Sequence, residues 1–269
     1  MKKVIIIGGI PSPIGGVTSY IYRLITTFPV FFSNIYDLYP HKDKLHSSFV
    51  PLHVFKGYWD YKFLQSIISK KDITFHFNFS TTKSLLLFLF LYKRQSTVWI
   101  LTLHNGDLNS DFIPQCVINF LLNKFDKVVA LSKLQQQYYK SSANIKFQIV
   151  NMDPFVPCDY DTDVQIPVEY NKFKNVNVNK SIILMNGYCK PFYKFEDGIE
   201  FVMKNINYCL VIVLYGDRDP MYRALLENRA ACSNNILFLE GVEQSVFFKL
   251  LKDIDIYLRA NTVDSFGIA

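Results

Sequence analysis

The sequence predicts an α/β fold with two doubly wound domains. Runs of β-branched, apolar residues alternate with amphipathic stretches of helical length, a pattern typical of a parallel sheet covered by helices on both faces. The alternation is interrupted once, over 151–180, by a segment with three prolines and little periodicity. The charge also changes there, from a balance of +10 over residues 1–150 to −4 over residues 151–269. We therefore predict two domains joined by this segment.

The first domain is predicted over residues 1–155. Its expected strands are 3–8, 34–39, 49–55, 73–77, 98–103, 127–131 and 146–150, on the basis of short apolar runs bounded by turn residues. Its expected helices are 17–27, 60–70, 80–93, 112–124 and 133–141.

The interdomain connection is predicted over 156–180 and the second domain over 181–269. Alternation resumes there with strands expected at 181–186, 208–215, 235–239 and 254–259. Helices are expected between them at 195–204, 219–230 and 243–251.

The basic first half restricts the kinds of partner. A balance of +10 favours an anionic partner, such as nucleic acid, a phosphorylated ligand or a membrane surface, although a solvated basic face without a partner is an alternative. A nucleic-acid-binding protein is the least supported reading, because no recognisable nucleic-acid-reading motif is present. The apolar run "LLLFLFLY" at 85–92 is about half the length of a membrane span. It fits either a helix buried against the sheet or a membrane contact.

The opening segment "MKKVIIIGGIPSPIGGVTSY" contains two glycine pairs between a strand and a helix. Such a turn presents backbone N–H groups and a positive helix end at the carboxyl edge of a sheet, where phosphates bind in folds of this class. The spacing matches neither G-x-G-x-x-G nor a P-loop. A purely structural turn is the alternative.

Four further segments follow in a characteristic order. They are "LTLHNGD" at 101–107, "VVALS" at 128–132, "MNGYCKPFYKFEDGIEFV" at 185–202 and "FLEGVEQSVFFKLLKDIDIYLRANTVDSFGIA" at 238–269. With the glycine turn, this set resembles the family-four glycosyltransferases. The resemblance implies two Rossmann-like domains facing a cleft, with transfer of a sugar from a nucleotide-sugar donor with retention. It also implies that no metal or other cofactor is needed.

The resemblance assigns the donor's diphosphate to four residues. Lys194 matches the family's phosphate-binding lysine, and Gly15 and Gly16 would bring backbone N–H groups close to the diphosphate. The family often has arginine where Tyr188 stands, and Lys190 is a candidate substitute for that charge. An ordinary solvated lysine is the alternative for Lys194.

The resemblance assigns two further residues to the transferred sugar as catalytic candidates. His104 follows the strand 98–103, and Asp264 stands where the family usually has glutamate, at the start of its E-x7-E region. A hydrogen-bonded structural histidine is the alternative for His104, and a helix N-cap is the alternative for Asp264.

The second glutamate of E-x7-E would fall beyond Ala269. We therefore expect the second domain to be incomplete and this chain by itself to have negligible activity. A nonenzymatic fragment of such an enzyme is the alternative.

The resemblance also implies a role and a location. We expect an acceptor that is a lipid-linked glycan or an oligosaccharide, in bacterial surface polysaccharide synthesis such as O-antigen or capsule. A peripheral contact with anionic membrane fits the basic first half. Five widely spaced cysteines without a C-x-x-C pair favour the cytoplasm. No nucleic-acid partner is expected.

Overall fold

The structure is a computed structural model of the 269-residue chain. It describes residues 4–11, 16–38, 52–54, 64–65, 68, 71–104, 113–141, 144–152, 163–231 and 233–260. The chain divides into two compact units, over 1–158 and 159–262, and each is described by itself.

The first unit contains seven strands and three α-helices among its described residues. The strands are β1 (Val4–Gly8), β2 (Phe32–Asp37), β3 (Leu52–Val54), β4 (Thr74–Phe79), β5 (Val98–Leu103), β6 (Lys127–Ala130) and β7 (Gln148–Asn151). The helices are α1 (Gly16–Thr27), α2 (Gln115–Leu122) and α3 (Lys133–Ser141). The predicted helix 60–70 lies largely outside the described residues.

All seven strands are parallel, in the order β3-β2-β1-β4-β5-β6-β7. The chain moves outward from β1 to β3 on one side and then restarts at β4 on the other side of β1. This reversal makes the carboxyl ends of β1 and β4 the topological switch point, the place where ligands bind in such sheets. The predicted doubly wound topology of the first domain is confirmed.

Aromatic side chains form the core that covers one face of this sheet. The Phe88 ring lies 4.9 Å from that of Phe77, 5.5 Å from that of Trp99 and 4.7 Å from that of Phe125, in edge-to-face contacts. Rings in this geometry add to the free energy gained by burying their area. Phe88 thereby fastens the β4–β5 connection to the sheet.

The β4–β5 connection is not the α-helix predicted over 80–93. It forms a 3₁₀ segment over Thr82–Leu89, in which Thr82, Leu85 and Phe88 are almost fully buried. A spacing of three residues matches the three residues per turn of a 3₁₀ helix, which places these side chains on one face. Ser84 and Leu87 are buried as well, so the segment buries a broad face, and its burial pattern does not by itself select the 3₁₀ period.

The second unit contains four strands and four helices among its described residues. The strands are β8 (Ser181–Cys189), β9 (Tyr208–Arg218), β10 (Ile236–Glu240) and β11 (Ile256–Tyr257). The helices are α4 (Val168–Val176), α5 (Phe195–Lys204), α6 (Pro220–Ala230) and α7 (Gln244–Asp253). Helix α4 was not predicted, because it lies in the segment read as an unperiodic connection. Its Tyr170 hydroxyl donates a hydrogen bond of 2.9 Å to Asp253 at the end of α7.

The second sheet is also parallel, in the order β10-β9-β8-β11. Strand β11 is shorter than the predicted 254–259, and it pairs only through Ile256 and Tyr257 with Ile183 and Leu184. Both of its residues are exposed, since β11 is an edge of this sheet. The predicted alternation of strands and helices in the second domain is confirmed.

Candidate functional site

The carboxyl edge of the first sheet is tightly packed at the switch point. A Cβ atom added at Gly8 would lie 2.6 Å from Cδ1 of Ile21 and 3.1 Å from the carbonyl oxygen of Asn78. The backbone N–H of Ile10 donates to the buried carboxylate of Asp37 at 3.0 Å. The chain leaving β1 is therefore held against β4 and the end of β2, and a side chain at position 8 would have to displace the Ile21 methyl group and press on the backbone of β4.

His104 lies at this edge, directly after β5, as the sequence predicted. Its backbone N–H donates to the carbonyl oxygen of Phe79 at 2.8 Å, and its Nε2 lies 3.2 Å from Oδ1 of Asn78. Because the amide oxygen only accepts, Nε2 is assigned the proton and donates it. The imidazole ring packs against that of Tyr20 on α1, with centroids 4.9 Å apart.

The imidazole of His104 is neutral at physiological pH. Burial first, and then the charge of His76 when protonated, lower the pKa of His104 to about 3. His76 is itself buried on β4, with its Nε2 2.8 Å from Oγ1 of Thr102, and burial lowers its pKa to about 4. A neutral, oriented imidazole can donate a hydrogen bond or polarise a neighbouring group, but it does not supply a positive charge.

The glycine turn is only partly described. Gly15 and Asp264 lie outside the described residues. Gly16 is the first residue of α1; it is exposed, and a Cβ atom added there would meet nothing within 4 Å. The first turn of α1 carries no acidic residue. The amino end of α1 is therefore compatible with an anion, since its N–H groups and helix dipole are not offset by a carboxylate on that turn.

In the second unit, Lys194 stands at the start of α5. Its backbone is left-handed, with φ 50° and ψ 43°, and it links a short 3₁₀ turn over Pro191–Tyr193 to the helix. The side chain is half-buried, and among the described residues no carboxylate forms an ion pair with it. The adjacent Glu196 instead accepts a hydrogen bond from the hydroxyl of Tyr222. The first turn of α5 also carries the carboxylates of Glu196 and Asp197, so Lys194 adds a cation to a helix amino end whose positive dipole is offset in part by acidic side chains.

Lys190 is exposed, and its Nζ lies 5.7 Å from the ring centroid of Tyr188. This places a positive charge beside the position where the resembled family often has arginine. The contact is a cation–π pair, which leaves the ammonium group open to an anion.

The glycines of this unit accommodate tyrosine rings. A Cβ atom at Gly187 would lie 2.2 Å from the Tyr193 ring, and one at Gly216 would lie 2.1 Å from the Tyr188 ring. The Tyr188 ring also lies 4.9 Å from that of Tyr215. Gly187 therefore gives room to an aromatic side chain, a role that spacing did not predict.

Sequence reasoning missed three residues near these candidates. Asn78 orients His104, and it is one of the polar residues that alternate with phenylalanine along β4. Tyr215 is the second. Burial raises its pKa, and nearby tyrosines raise it further, whereas the charge of Arg259 lowers it. Arg259 follows β11, so it supplies a cation at the carboxyl edge of this sheet in addition to Lys194 and Lys190.

The described residues contain neither a cluster of metal-ligating side chains nor a membrane-spanning helix. No group of three or more His, Cys, Asp or Glu side chains in the described ranges could hold a metal ion. Within the same ranges, no helix has the length and apolarity to cross a membrane.

The chain resembles solved structures throughout its length. Anabaena HepE in complex with UDP and glucose matches 97% of this chain and 75% of its own, at 13% identity and a TM-score of 0.67. The trehalose-6-phosphate synthase OtsA matches 99% and 80%, at 10% identity and a TM-score of 0.71. Sucrose-phosphate synthase from Thermosynechococcus elongatus matches 100% and 77%, at 14% identity and a TM-score of 0.69.

No protein-family model and no curated protein sequence matches the chain. The likeness to solved structures therefore establishes the fold, which is the two-Rossmann architecture of B-type glycosyltransferases. The predicted fold class is confirmed.

Proposed function

We propose that the protein is a glycosyltransferase that transfers a sugar from a nucleotide-sugar donor with retention. The fold supports this proposal, because HepE, which shares it, was solved in complex with UDP and glucose. The two enzymes named above as synthases of trehalose-6-phosphate and sucrose-phosphate share it as well.

The observation that carries the proposal is the position of Lys194. A half-buried lysine at the start of α5, without a carboxylate partner among the described residues, suits a ligand with concentrated negative charge. In sugar transfer, the bond between the anomeric carbon and the diphosphate oxygen breaks, and the departing diphosphate gains negative charge. A fixed cation stabilises that charge as it develops. Lys194 would act there, with Lys190 as the second cation.

The remaining candidate residues would surround the sugar and the diphosphate. His104, as a neutral hydrogen-bond donor held by Asn78, would contact the transferred sugar. Gly15 and Gly16 would bring N–H groups of the turn to the diphosphate, and Asp264 would accept hydrogen bonds from sugar hydroxyls. A hydroxyl oxygen of the acceptor forms the new bond to the anomeric carbon, and its proton leaves with the departing group. No metal or other cofactor takes part in this proposal.

The finer part of the proposal concerns the acceptor. We propose a lipid-linked or oligosaccharide glycan in bacterial surface polysaccharide synthesis, with the protein in the cytoplasm at the inner face of the membrane. The basic first half of the chain supports a peripheral contact with anionic lipid.

Nucleotide binding tests the donor site without an acceptor. We would titrate the chain with UDP, GDP and ADP by calorimetry, and compare Lys194→Ala with Lys204→Ala. Lys204 is the matched control, because it lies on the same helix, at its other end, in an exposed ion pair with Glu200. We expect one of the diphosphates to bind, and Lys194→Ala alone to weaken it by about ten- to a hundredfold, the effect of losing a charged hydrogen bond. Equal affinities for both variants would contradict the assignment of Lys194.

A further inference from the structure

We propose that the amino-terminal edge of the first sheet docks on an anionic lipid bilayer. We define this amino edge as residues 28–31, 71–73, 89–97, 120–127 and 144–147. The inference rests on the membrane contact within the proposed function, and it names the surface that makes this contact. It does not depend on the transfer chemistry.

The topology brings these segments together. They precede β2, β4, β5, β6 and β7, and because all strands are parallel, their amino ends lie along one edge of the sheet. Three hydrogen bonds join four of the segments: Asp72 N to Ser96 Oγ at 3.4 Å, Lys93 Nζ to Asp126 Oδ1 at 2.6 Å, and Lys146 N to Asn123 Oδ1 at 2.8 Å. From β2 to β7 the edge extends about 24 Å, given the usual spacing between strands. It lies opposite the edge that carries His104.

Large apolar side chains are exposed along the amino edge. Phe90 is 78% exposed, Tyr92 is 71% exposed and Phe120 is 57% exposed. Further along the edge, the rings of Phe28 and Phe31 are also exposed and lie 6.4 Å apart. Aromatic side chains are favoured at the boundary between lipid headgroups and hydrocarbon. Their exposure in several separate segments of one edge indicates a surface that is covered in use.

The charge of the amino edge complements an anionic bilayer. Its described segments contain six basic residues and two acidic ones, namely Lys71, Lys93, Arg94, Lys124, Lys127 and Lys146 against Asp72 and Asp126. One of the acids, Asp126, is paired with Lys93. The excess is therefore positive, and each lysine or arginine near an anionic surface raises the affinity about fivefold.

Lys124 contacts an exposed apolar side chain of the amino edge as well as contributing to the positive charge of that edge. Lys124 donates a hydrogen bond to the carbonyl oxygen of Phe88, and its Nζ lies 5.4 Å from the ring centroid of Phe120. The stem of this lysine thus holds the exposed Phe120 ring next to the end of the 3₁₀ segment. A charged headgroup and the boundary of the acyl chains could be contacted at the same place.

Aliphatic residues favour lipid over nucleic acid. Single-stranded nucleic acid also binds basic and aromatic surfaces, because bases stack on rings. Here Val30 is 75% exposed and Leu89 is 43% exposed among the rings of the same edge. Aliphatic side chains offer no stacking face to a base, but they gain free energy when transferred into hydrocarbon.

Vesicle binding tests the inference with the chain alone, without donor or acceptor. We would measure co-sedimentation with vesicles of phosphatidylglycerol and phosphatidylcholine, and with phosphatidylcholine alone, at several salt concentrations. Binding should require phosphatidylglycerol and weaken as salt rises. The variant Lys71→Gln/Lys127→Gln/Lys146→Gln should bind about a hundredfold more weakly, at about fivefold for each charge. Phe90→Ser/Tyr92→Ser should bind about tenfold more weakly.

Matched controls come from the opposite edge of the same sheet. Lys83→Gln/Lys133→Gln removes two exposed lysines that follow β4 and β6, and Leu134→Ser removes an apolar side chain that is 74% exposed. These variants should bind vesicles as the unchanged chain does. Circular dichroism would check that every variant is folded.

Other outcomes would overturn the inference in distinguishable ways. If vesicle binding were lost in the control variants but not in the amino-edge variants, the protein would contact the membrane through a different surface. No vesicle binding would reject both the inference and the membrane contact, while nucleotide binding would still test the donor site. Tighter binding to a single-stranded oligonucleotide than to vesicles would make the edge a nucleic-acid surface. Self-association that Phe90→Ser/Tyr92→Ser abolishes would make it a contact between copies of the chain.

Discussion

The Nε2 atom of His104 lies 3.2 Å from the Oδ1 atom of Asn78, and this contact joins the carboxyl ends of two neighbouring strands. Asn78 is fully buried, and its amide nitrogen donates to the carbonyl oxygen of His76 at 3.3 Å. The amide is therefore held in one orientation, and it fixes the proton of His104 on Nε2. The imidazole is positioned for a ligand by the strand next to it.

The buried state of His104 predicts how stability depends on pH. An unfolded histidine has a pKa of about 6.5, whereas the pKa of His104 in the folded chain is about 3. Between these values the unfolded state binds the additional proton. The free energy of unfolding should therefore fall as pH is lowered through this window, by about 1.4 kcal/mol per pH unit for one proton.

His104→Gln should remove this contribution while keeping a hydrogen-bond donor near Asn78. We expect urea denaturation between pH 6.5 and 4 to show a shallower loss of stability for the variant than for the unchanged chain. The carboxylates titrate in both proteins, so the difference reports the titration of His104 together with its electrostatic coupling to His76. Parallel pH profiles would show that His104 is accessible to protons in the folded chain.

The contact between Gly216 and the Tyr188 ring predicts a loss of stability that can be separated from the cost of the positive φ angle. Gly216 has φ +67° and lies against the Tyr188 ring, whereas Gly241 has φ +64° and open space around it. Gly241→Ala should cost about 1–2 kcal/mol from backbone strain alone. Gly216→Ala should cost a further 1–3 kcal/mol or so, because its Cβ atom displaces the ring. Urea denaturation measures both losses.

The double variant supplies the control. In a Tyr188→Ala background, Gly216→Ala should cost about as much as Gly241→Ala does, because no ring remains to be displaced. If Gly216→Ala and Gly241→Ala were equally destabilising in the unchanged background, this result would contradict the close packing of the Tyr188 ring against Gly216.

Lys194 predicts the size of a catalytic effect. If it stabilises charge on the departing diphosphate, Lys194→Ala should lower turnover by about 10²–10³-fold. Lys204→Ala should leave turnover unchanged, since that lysine is exposed and paired with Glu200. A folded Lys194→Ala variant with unchanged kinetics would place the phosphate site elsewhere.

Chelation tests the expectation that no metal takes part. With cations such as Lys194 and Lys190 in place of a metal, transfer should continue in the presence of EDTA. The measurement is the rate of donor consumption before and after chelation, with restoration by added Mg²⁺ or Mn²⁺ as the control. Loss of activity in EDTA that either ion restores would show that a metal is required.

Much of the fold could be predicted from the sequence because it depends on periodicity. Buried parallel strands such as β5 read as short apolar runs, and amphipathic helices such as α1 show a repeating apolar face. The place of His104 followed as well, since parallel strands collect their carboxyl ends at one edge. These features need no knowledge of which strands are neighbours.

The remaining features depend on contacts between distant segments. The pairing of Asn78 with His104 requires the register of β4 and β5, and the contact of Gly216 with Tyr188 requires the register of β8 and β9, which is irregular between Gly187 and Cys189. Helix α4 was missed because few of its residues are apolar, and only Tyr170 and Phe173 are buried. The 3₁₀ segment was missed because its run of leucines fits either helical period.

The most direct measurement of the central claim is the configuration of the product. The protein would be incubated with the nucleotide sugar whose diphosphate it binds, and with a lipid-linked diphosphate sugar as acceptor. Proton NMR of the new linkage would then be compared with that of the donor. We expect a glycoside with the same anomeric configuration as the donor, formed only when His104 and Lys194 are intact. An inverted linkage, or no transfer from any nucleotide sugar that binds, would contradict the proposed function.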